Sequence, residues 1–151
     1  MSIQARILNL LSELQRKKEL TYLLIAHDLA AVAYACDRVA VMYLGRIVKL
    51  GATRDAYLTP RHPYTEALMS TVPDPGPNLP FRPLLLARER PDPANPPTSY
   101  RSQTRCRYAT DICRAEAPQL AGKPDGHKVA CNHCDQLSLK ETVEQRADID
   151  R

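Results

Sequence analysis

Residues 20–51, LTYLLIAHDLAAVAYACDRVAVMYLGRIVKLG, decide the fold, because they run a strand, a lone histidine, a short helix and a hairpin into one continuous stretch. Tyr22 to Ile25 is a short apolar run of strand formers, and His27-Asp28 closes it where the helical segment Leu29 to Cys36 opens. The imidazole of His27 is thereby expected at the carboxyl end of a strand, where open α/β sheets bind their ligands. Beyond the helix, Arg38 to Leu44 and Arg46 to Leu50 predict two strands joined around Gly45, an antiparallel edge hairpin. On the triplet alone, a histidine that merely closes a strand is an equal reading.

Outward from that stretch the chain changes character twice. Ser2 to Lys18 predicts a helix, with Ile3, Ile7, Leu10, Leu11 and Leu14 at helical spacing. Downstream, Asp55 to Leu58 reads as a helical turn, and Pro63 is well placed as the first residue of a helix reaching about Val72. Val72 to Thr98 holds nine of the thirteen prolines, which excludes a packed helix or a central strand and predicts an extended connector. Its apolar island, Leu84 to Leu86, is expected to dock on the domain surface or form a short edge strand. Gln136 to Arg151 has only a thin apolar stripe, and disorder is expected there.

A chain of 151 residues is one ordinary domain or two small ones, and its core must be aliphatic, with no Trp and one Phe. Of the formal charge of +4, the segment Leu79 to Arg107, with six arginines and two acids, carries as much as the whole surplus. No interleaved aromatics or binding motif accompany those arginines, so no nucleic-acid partner is expected. No apolar run approaches the roughly 20 residues needed to cross a bilayer, and no signal peptide is visible. The sequence therefore predicts an intracellular protein whose five cysteines are thiols or metal ligands rather than disulfides.

Four of those cysteines form a pattern. Cys106, Cys113, Cys131 and Cys134 are spaced Cys-x6-Cys-x17-Cys-x2-Cys, in a segment too polar to fold on aliphatic contacts. Four soft ligands in such a segment predict a metal as the missing core. Cys36 stands apart on the helix after His27 and is assigned to packing.

Read together, these strings carry a resemblance. Residues 20–51 resemble the end of the nucleotide-binding domain of ABC transporter ATPases: a strand, a switch histidine in an (S/T)HD-like triplet (here Ala26-His27-Asp28), a helix leading to Asp37-Arg38-Val39, then VMYLGRIV. The string PRHPYTEALMSTVP at 60–73 narrows this to the ATP-binding subunits of oligopeptide and dipeptide importers. The resemblance implies an α/β fold, the C-terminal fragment of an ABC-type P-loop ATPase core, followed by a Pro-rich linker and a small Cys-containing extension. Its implied boundaries are 1–72 for the distal part of the nucleotide-binding domain, 73–98 for the linker, 99–135 for the cysteine-rich extension and 136–151 for the tail.

It implies function as well. In that family the switch histidine, here His27, reaches the γ-phosphate of ATP and helps hold the attacking water, with Mg²⁺ bound alongside. The implied partners are transporter permease subunits and a second ATP-binding subunit, with the protein cytoplasmic and peripheral on the inner face of the cell membrane. None of the five glycines lies in a GxxxxGK(S/T) pattern, and no LSGGQ-like signature or Walker B Asp-Glu pair is present. One histidine without magnesium, lysine or base cannot perform phosphoryl transfer, so the isolated chain is expected not to hydrolyse ATP. The strand Tyr22 to Ile25 would then lack sheet neighbours unless a complementary N-terminal fragment supplied them.

The cysteines fit the same resemblance with one departure. Family members carry CxFxxRCxxAxxxC followed by a more distant HxxAC, and in some of them four cysteines hold a [4Fe-4S] cluster. Here Tyr100 occupies the slot of the first cysteine. Three explanations stay open: Cys134 replaces the lost ligand, His133 or His127 joins three cysteines around zinc, or the site is degenerate and empty. A free-standing Fe–S or zinc-binding interaction module is the alternative function. An enzyme using His27 and a cysteine finds no nucleophile-base pair at informative spacing.

Overall fold

The computed structural model describes residues 3–72, 83–87, 89 and 91–139. The chain divides into two compact units, Met1–Asp37 and Arg38–Arg151. Among the described residues no helix is long and apolar enough to cross a membrane.

In the first unit, helix α1 spans Ile3–Lys18 and ends on Arg16, Lys17 and Lys18, cations that suit the negative end of the helix dipole. Lys17 pairs with Glu13 one turn back at 2.5 Å. Its apolar stripe follows the expected spacing, yet Ile3, Ile7, Leu10, Leu11 and Leu14 are all exposed. Helix α2, Leu29–Ala35, is capped by Asp28, whose carboxylate accepts from the amides of Ala30 and Ala31 at 2.9 and 3.2 Å. Two polar bonds join the helices: Gln4 Nε2 to Asp28 Oδ2 at 2.7 Å and Tyr34 Oη to Asn9 Oδ1 at 2.6 Å.

The expected strand Tyr22 to Ile25 does not form: residues 20–26 carry no regular secondary structure. A strand exists through its ladder partners, and none of the described segments pairs with this one. Leu23 and Ile25 are 91% and 90% exposed, as follows for a run suited to burial on both faces that has neither face covered.

In the second unit the expected hairpin forms, as β1 (Arg38–Tyr43) and β2 (Arg46–Ala52). The connecting pair has positive φ at both positions, 45° at Leu44 and 77° at Gly45, the left-handed turn that matches the twist of a two-residue hairpin. On β1, Val39, Val41 and Tyr43 turn inward with period two. The register slips between Val41 and Met42, which pair with Lys49 and Ile47 and leave Val48 as the extra residue of a bulge. Val48 and Lys49 are consequently both buried although they are consecutive.

Val41, Tyr43 and Val48 form the core cluster, with Val39, Leu44, Tyr64 and Leu68 packed against it. The Tyr43 and Tyr64 rings stand 4.7 Å apart at 59°. Helices α3 (Thr53–Leu58) and α4 (Pro63–Met69) follow, α4 starting on Pro63 as expected. The Leu84 to Leu86 island docks rather than forming a strand, its Leu84 amide donating to Ser70 Oγ at 2.8 Å.

The cysteine-bearing stretch contributes α5 (Asp111–Ala115), β3 (Ala121–Gly122) and β4 (Lys128–Val129). It shares the hairpin's sheet, in the order β1-β2-β4-β3, with Lys49 opposite Val129 and Leu50 opposite Lys128. Among the described residues the hairpin is therefore an edge on the β1 side, its β2 side being paired with β4. The mixed α/β character with an antiparallel sheet agrees with the fold class expected. Residues 73–82, 88 and 90 of the proline-rich stretch and the tail from 140 onward lie outside the described residues.

Candidate functional site

The chemistry-bearing side chains of the second unit gather where α4, the turns after Tyr100, α5 and the end of β4 meet. His62 precedes Pro63 in extended conformation, and its Nδ1 accepts the Tyr64 amide at 3.0 Å, so the imidazole caps α4. Since Nδ1 is an acceptor, a neutral His62 carries its proton on Nε2, and that nitrogen meets the hydroxyl of Tyr100. Burial drives the His62 pKa down to about 3, with the Lys49 ammonium adding and the Ala130 carbonyl opposing. The ring is thus neutral at ordinary pH, and Tyr100 Oη accepts from it.

Tyr100 is only 4% exposed. Burial holds its phenol far above the ordinary range, with Ser102 opposing and Cys131, Cys106 and Cys113 adding smaller effects. Those three sulfurs come from three elements. Cys106 ends a coiled turn in which its amide bonds the Ser102 carbonyl at 2.9 Å, and Cys113 lies buried on α5. Cys131 follows β4, anchored by the Ala130 amide to the Val48 carbonyl at 2.9 Å. Asn132 Nδ2 reaches Cys113 Sγ at 4.0 Å, which ties the third element to the second.

Burial raises the Cys106 thiol and pushes Cys131 up to about 11, so neither is an activated nucleophile. Cys134 is buried and engaged with Lys123 and Asp135. The two imidazoles considered as zinc ligands have other partners, His127 Nε2 with Asp55 Oδ2 at 3.2 Å and His133 Nε2 with Thr110 Oγ1 at 2.7 Å. Among the described residues no three His, Cys, Asp or Glu side chains converge closely enough for one metal ion.

Two further buried charges were not visible as such in the sequence. Glu66 sits on the α4 face beneath Arg107, whose Nη2 lies 3.1 and 3.2 Å from its two carboxylate oxygens. Lys49 is fully buried by the bulge, donating to the carbonyls of Asp55 and Thr59 at 3.2 and 3.0 Å, and burial lowers its pKa to about 8. A bulge leaves no mark in a hydrophobic pattern, whereas the Tyr100 position was marked by its place in the cysteine string.

His27 belongs to the first unit, where it is exposed and directly precedes the Asp28 cap of α2.

Comparison with known proteins follows this layout. Residues 48–113 match the family described as oligopeptide/dipeptide transporter, C-terminal region. The chain is similar to the "Putative peptide import ATP-binding protein" of Brucella ovis, 48% identical over 130 residues, 86% of this chain and 41% of the relative. It is also similar to the dipeptide transport ATP-binding protein DppF of Haemophilus influenzae, 42% identical over 134 residues, 89% of this chain and 41% of the relative. The chain thus spans about two fifths of the length of these relatives.

Proposed function

Given that residues 48–113 carry the C-terminal region of oligopeptide/dipeptide transporters, we propose that this chain is the distal part of an ATP-binding subunit of a peptide ABC importer. The observation that carries the reading is 48% identity over 130 residues to a relative named for peptide import. Completed by the remaining nucleotide-binding region, it couples ATP and Mg²⁺ turnover to peptide uptake, against permease subunits and a second ATP-binding subunit on the inner face of the membrane. His27 is the switch histidine, a neutral donor to the γ-phosphate and the attacking water. Alone, the polypeptide supplies no phosphate cradle, magnesium ligand or base and does not hydrolyse ATP.

The test is complementation. The chain is assayed for magnesium-dependent ATP hydrolysis by itself and with a polypeptide carrying the N-terminal nucleotide-binding region of a relative. Hydrolysis is expected only in the pair, and His27→Ala is expected to lower it on the order of a hundredfold. Turnover by the bare chain, or a paired His27→Ala variant at full rate, removes the reading.

The family resemblance of the cysteine stretch suggests a second element of the same reading, an iron–sulfur cluster. Cys106, Cys113 and Cys131 come from separate elements, and among the described residues no three ligands stand within reach of a single ion. Zinc draws its thiolates to about 2.3 Å from one centre. A [4Fe-4S] cluster bonds each thiolate to a different iron and would supply one-electron chemistry or a rigid centre when bound.

A further inference from the structure

We propose that helix α1 sets the aim of His27, with Gln4 as the positioning residue that holds the turn from which the imidazole projects. The inference rests on the reading of His27 given above and adds what orients it.

Three observations within the first unit carry it. Asp28, the residue after His27, is held on both carboxylate oxygens: Oδ1 accepts the Ala30 and Ala31 amides of α2 at 2.9 and 3.2 Å, and Oδ2 accepts the Gln4 side-chain amide of α1 at 2.7 Å. With both oxygens engaged, turning the cap breaks a charge-assisted bond. At the other end of α2, Tyr34 Oη donates to Asn9 Oδ1 at 2.6 Å, so α1 grips the short helix near its first and last residues. Upstream of His27, residues 20–26 carry no regular secondary structure and join no ladder among the described residues. The fixed support of His27 therefore lies downstream, on α2 and on the helix that grips it.

The chemistry asks for such a support. A histidine that donates to a phosphate oxygen and holds a water acts by position, and a displacement of about 1 Å can cost on the order of a hundredfold in rate. His27 is exposed, so the backbone that carries it, and not a wall of packed neighbours, sets its reach. Gln4 acts through Asp28 and has no assigned contact with nucleotide or water. The Gln4 amide, and after it the Ala31 amide, holds the Asp28 carboxyl below its usual range against the opposing effect of burial, which gives the bond a signature of its own.

The test uses the full chain, alone and paired with the N-terminal nucleotide-binding region of a relative. Gln4→Met keeps the length and helix propensity of an exposed side chain and removes the donor. In the chain alone it should raise the titration midpoint of the Asp28 carboxyl, followed by carbon-13 NMR. In the pair it should lower kcat for ATP about tenfold while KM stays within about twofold. Gln4→Glu sets two carboxylates against each other and should lower kcat at least as far. Adding Asp28→Asn to Gln4→Glu reverses the bond, with the new amide donating to the new carboxylate while its oxygen still caps α2, and should bring kcat back to within about threefold of the unaltered pair. A loss of stability alone would not be answered by reversing the bond.

An Asp28 titration that Gln4→Met leaves unmoved overturns the proposal, since the bond is then not made in solution. So does a paired Gln4→Met at full kcat, or a loss in Gln4→Glu that Asp28→Asn fails to recover, and with His27→Ala impaired these results leave the reading of His27 standing. If the pair does not hydrolyse ATP, or His27→Ala turns over at full rate, the reading of His27 itself falls and takes this inference with it.

Discussion

His62 shows how one side chain can serve local structure and a site at once. Its Nδ1 satisfies the first turn of α4, and that commitment dictates which nitrogen presents a hydrogen to Tyr100. The folded ring titrates near 3, against about 6.5 when unfolded, so below pH 6.5 the unfolded chain binds a proton that the folded chain refuses. The stability that neutral His62 contributes is fully present above pH 6.5 and is lost as the pH falls toward 3. His62→Asn keeps the cap but leaves the Tyr100 hydroxyl short of a partner, at an expected cost of about 1–3 kcal/mol at pH 7.5. Urea unfolding at pH 7.5 and pH 4.5 should show that difference shrinking in acid, because only the histidine form pays the protonation penalty. A difference that is constant with pH would mean that the ring is already charged or already exposed.

At the scale of elements, the hairpin turn and the bulge set what the second unit can display. Leu44 and Gly45 both lie in the left-handed region, and Arg101 donates to the Leu44 carbonyl, fastening the cysteine-bearing stretch to the turn. A Cβ added at Gly45 would meet Arg101 Nη1 at 3.5 Å, an ordinary contact, so strain and not space opposes a side chain there. Gly45→Ala should therefore cost about 1–2 kcal/mol, read as a lowered urea midpoint with an unchanged slope. A stability equal to the parent would show that the turn adopts another conformation. The bulge at Val48 has the opposite legibility: the hairpin was plain in the alternation of β1, but nothing in RIVKLG announces that valine and lysine are both buried.

For the whole molecule, the two units pose different physical problems. In the first, an amphipathic helix and the apolar residues at 20–25 stand exposed, held by two polar side-chain bonds and a helix cap. In the second, hairpin and cysteine stretch share one sheet through β4, with Val129 almost fully buried. Val129→Ala should destabilise by about 2 kcal/mol and should speed hydrogen exchange at Lys49 and Val48 as well as at β4. Faster exchange confined to residues after 120 would show that the extension unfolds independently of the hairpin.

By itself the sequence determined the elements whose causes are local. These are the α1 stripe, the Asp28 and Pro63 helix starts, the alternation of β1, the turn at Gly45, and the family strings from which the peptide-importer resemblance came. Those depend on spacing and on residue chemistry within a few positions. Only the tertiary structure decided that 20–26 forms no strand, that β4 joins the hairpin, that Lys49 and Glu66 are buried, and that Tyr100 stands on His62. Each of these depends on which distant segment arrives to offer a ladder partner, a carbonyl or a ring nitrogen, and no local pattern encodes that arrival.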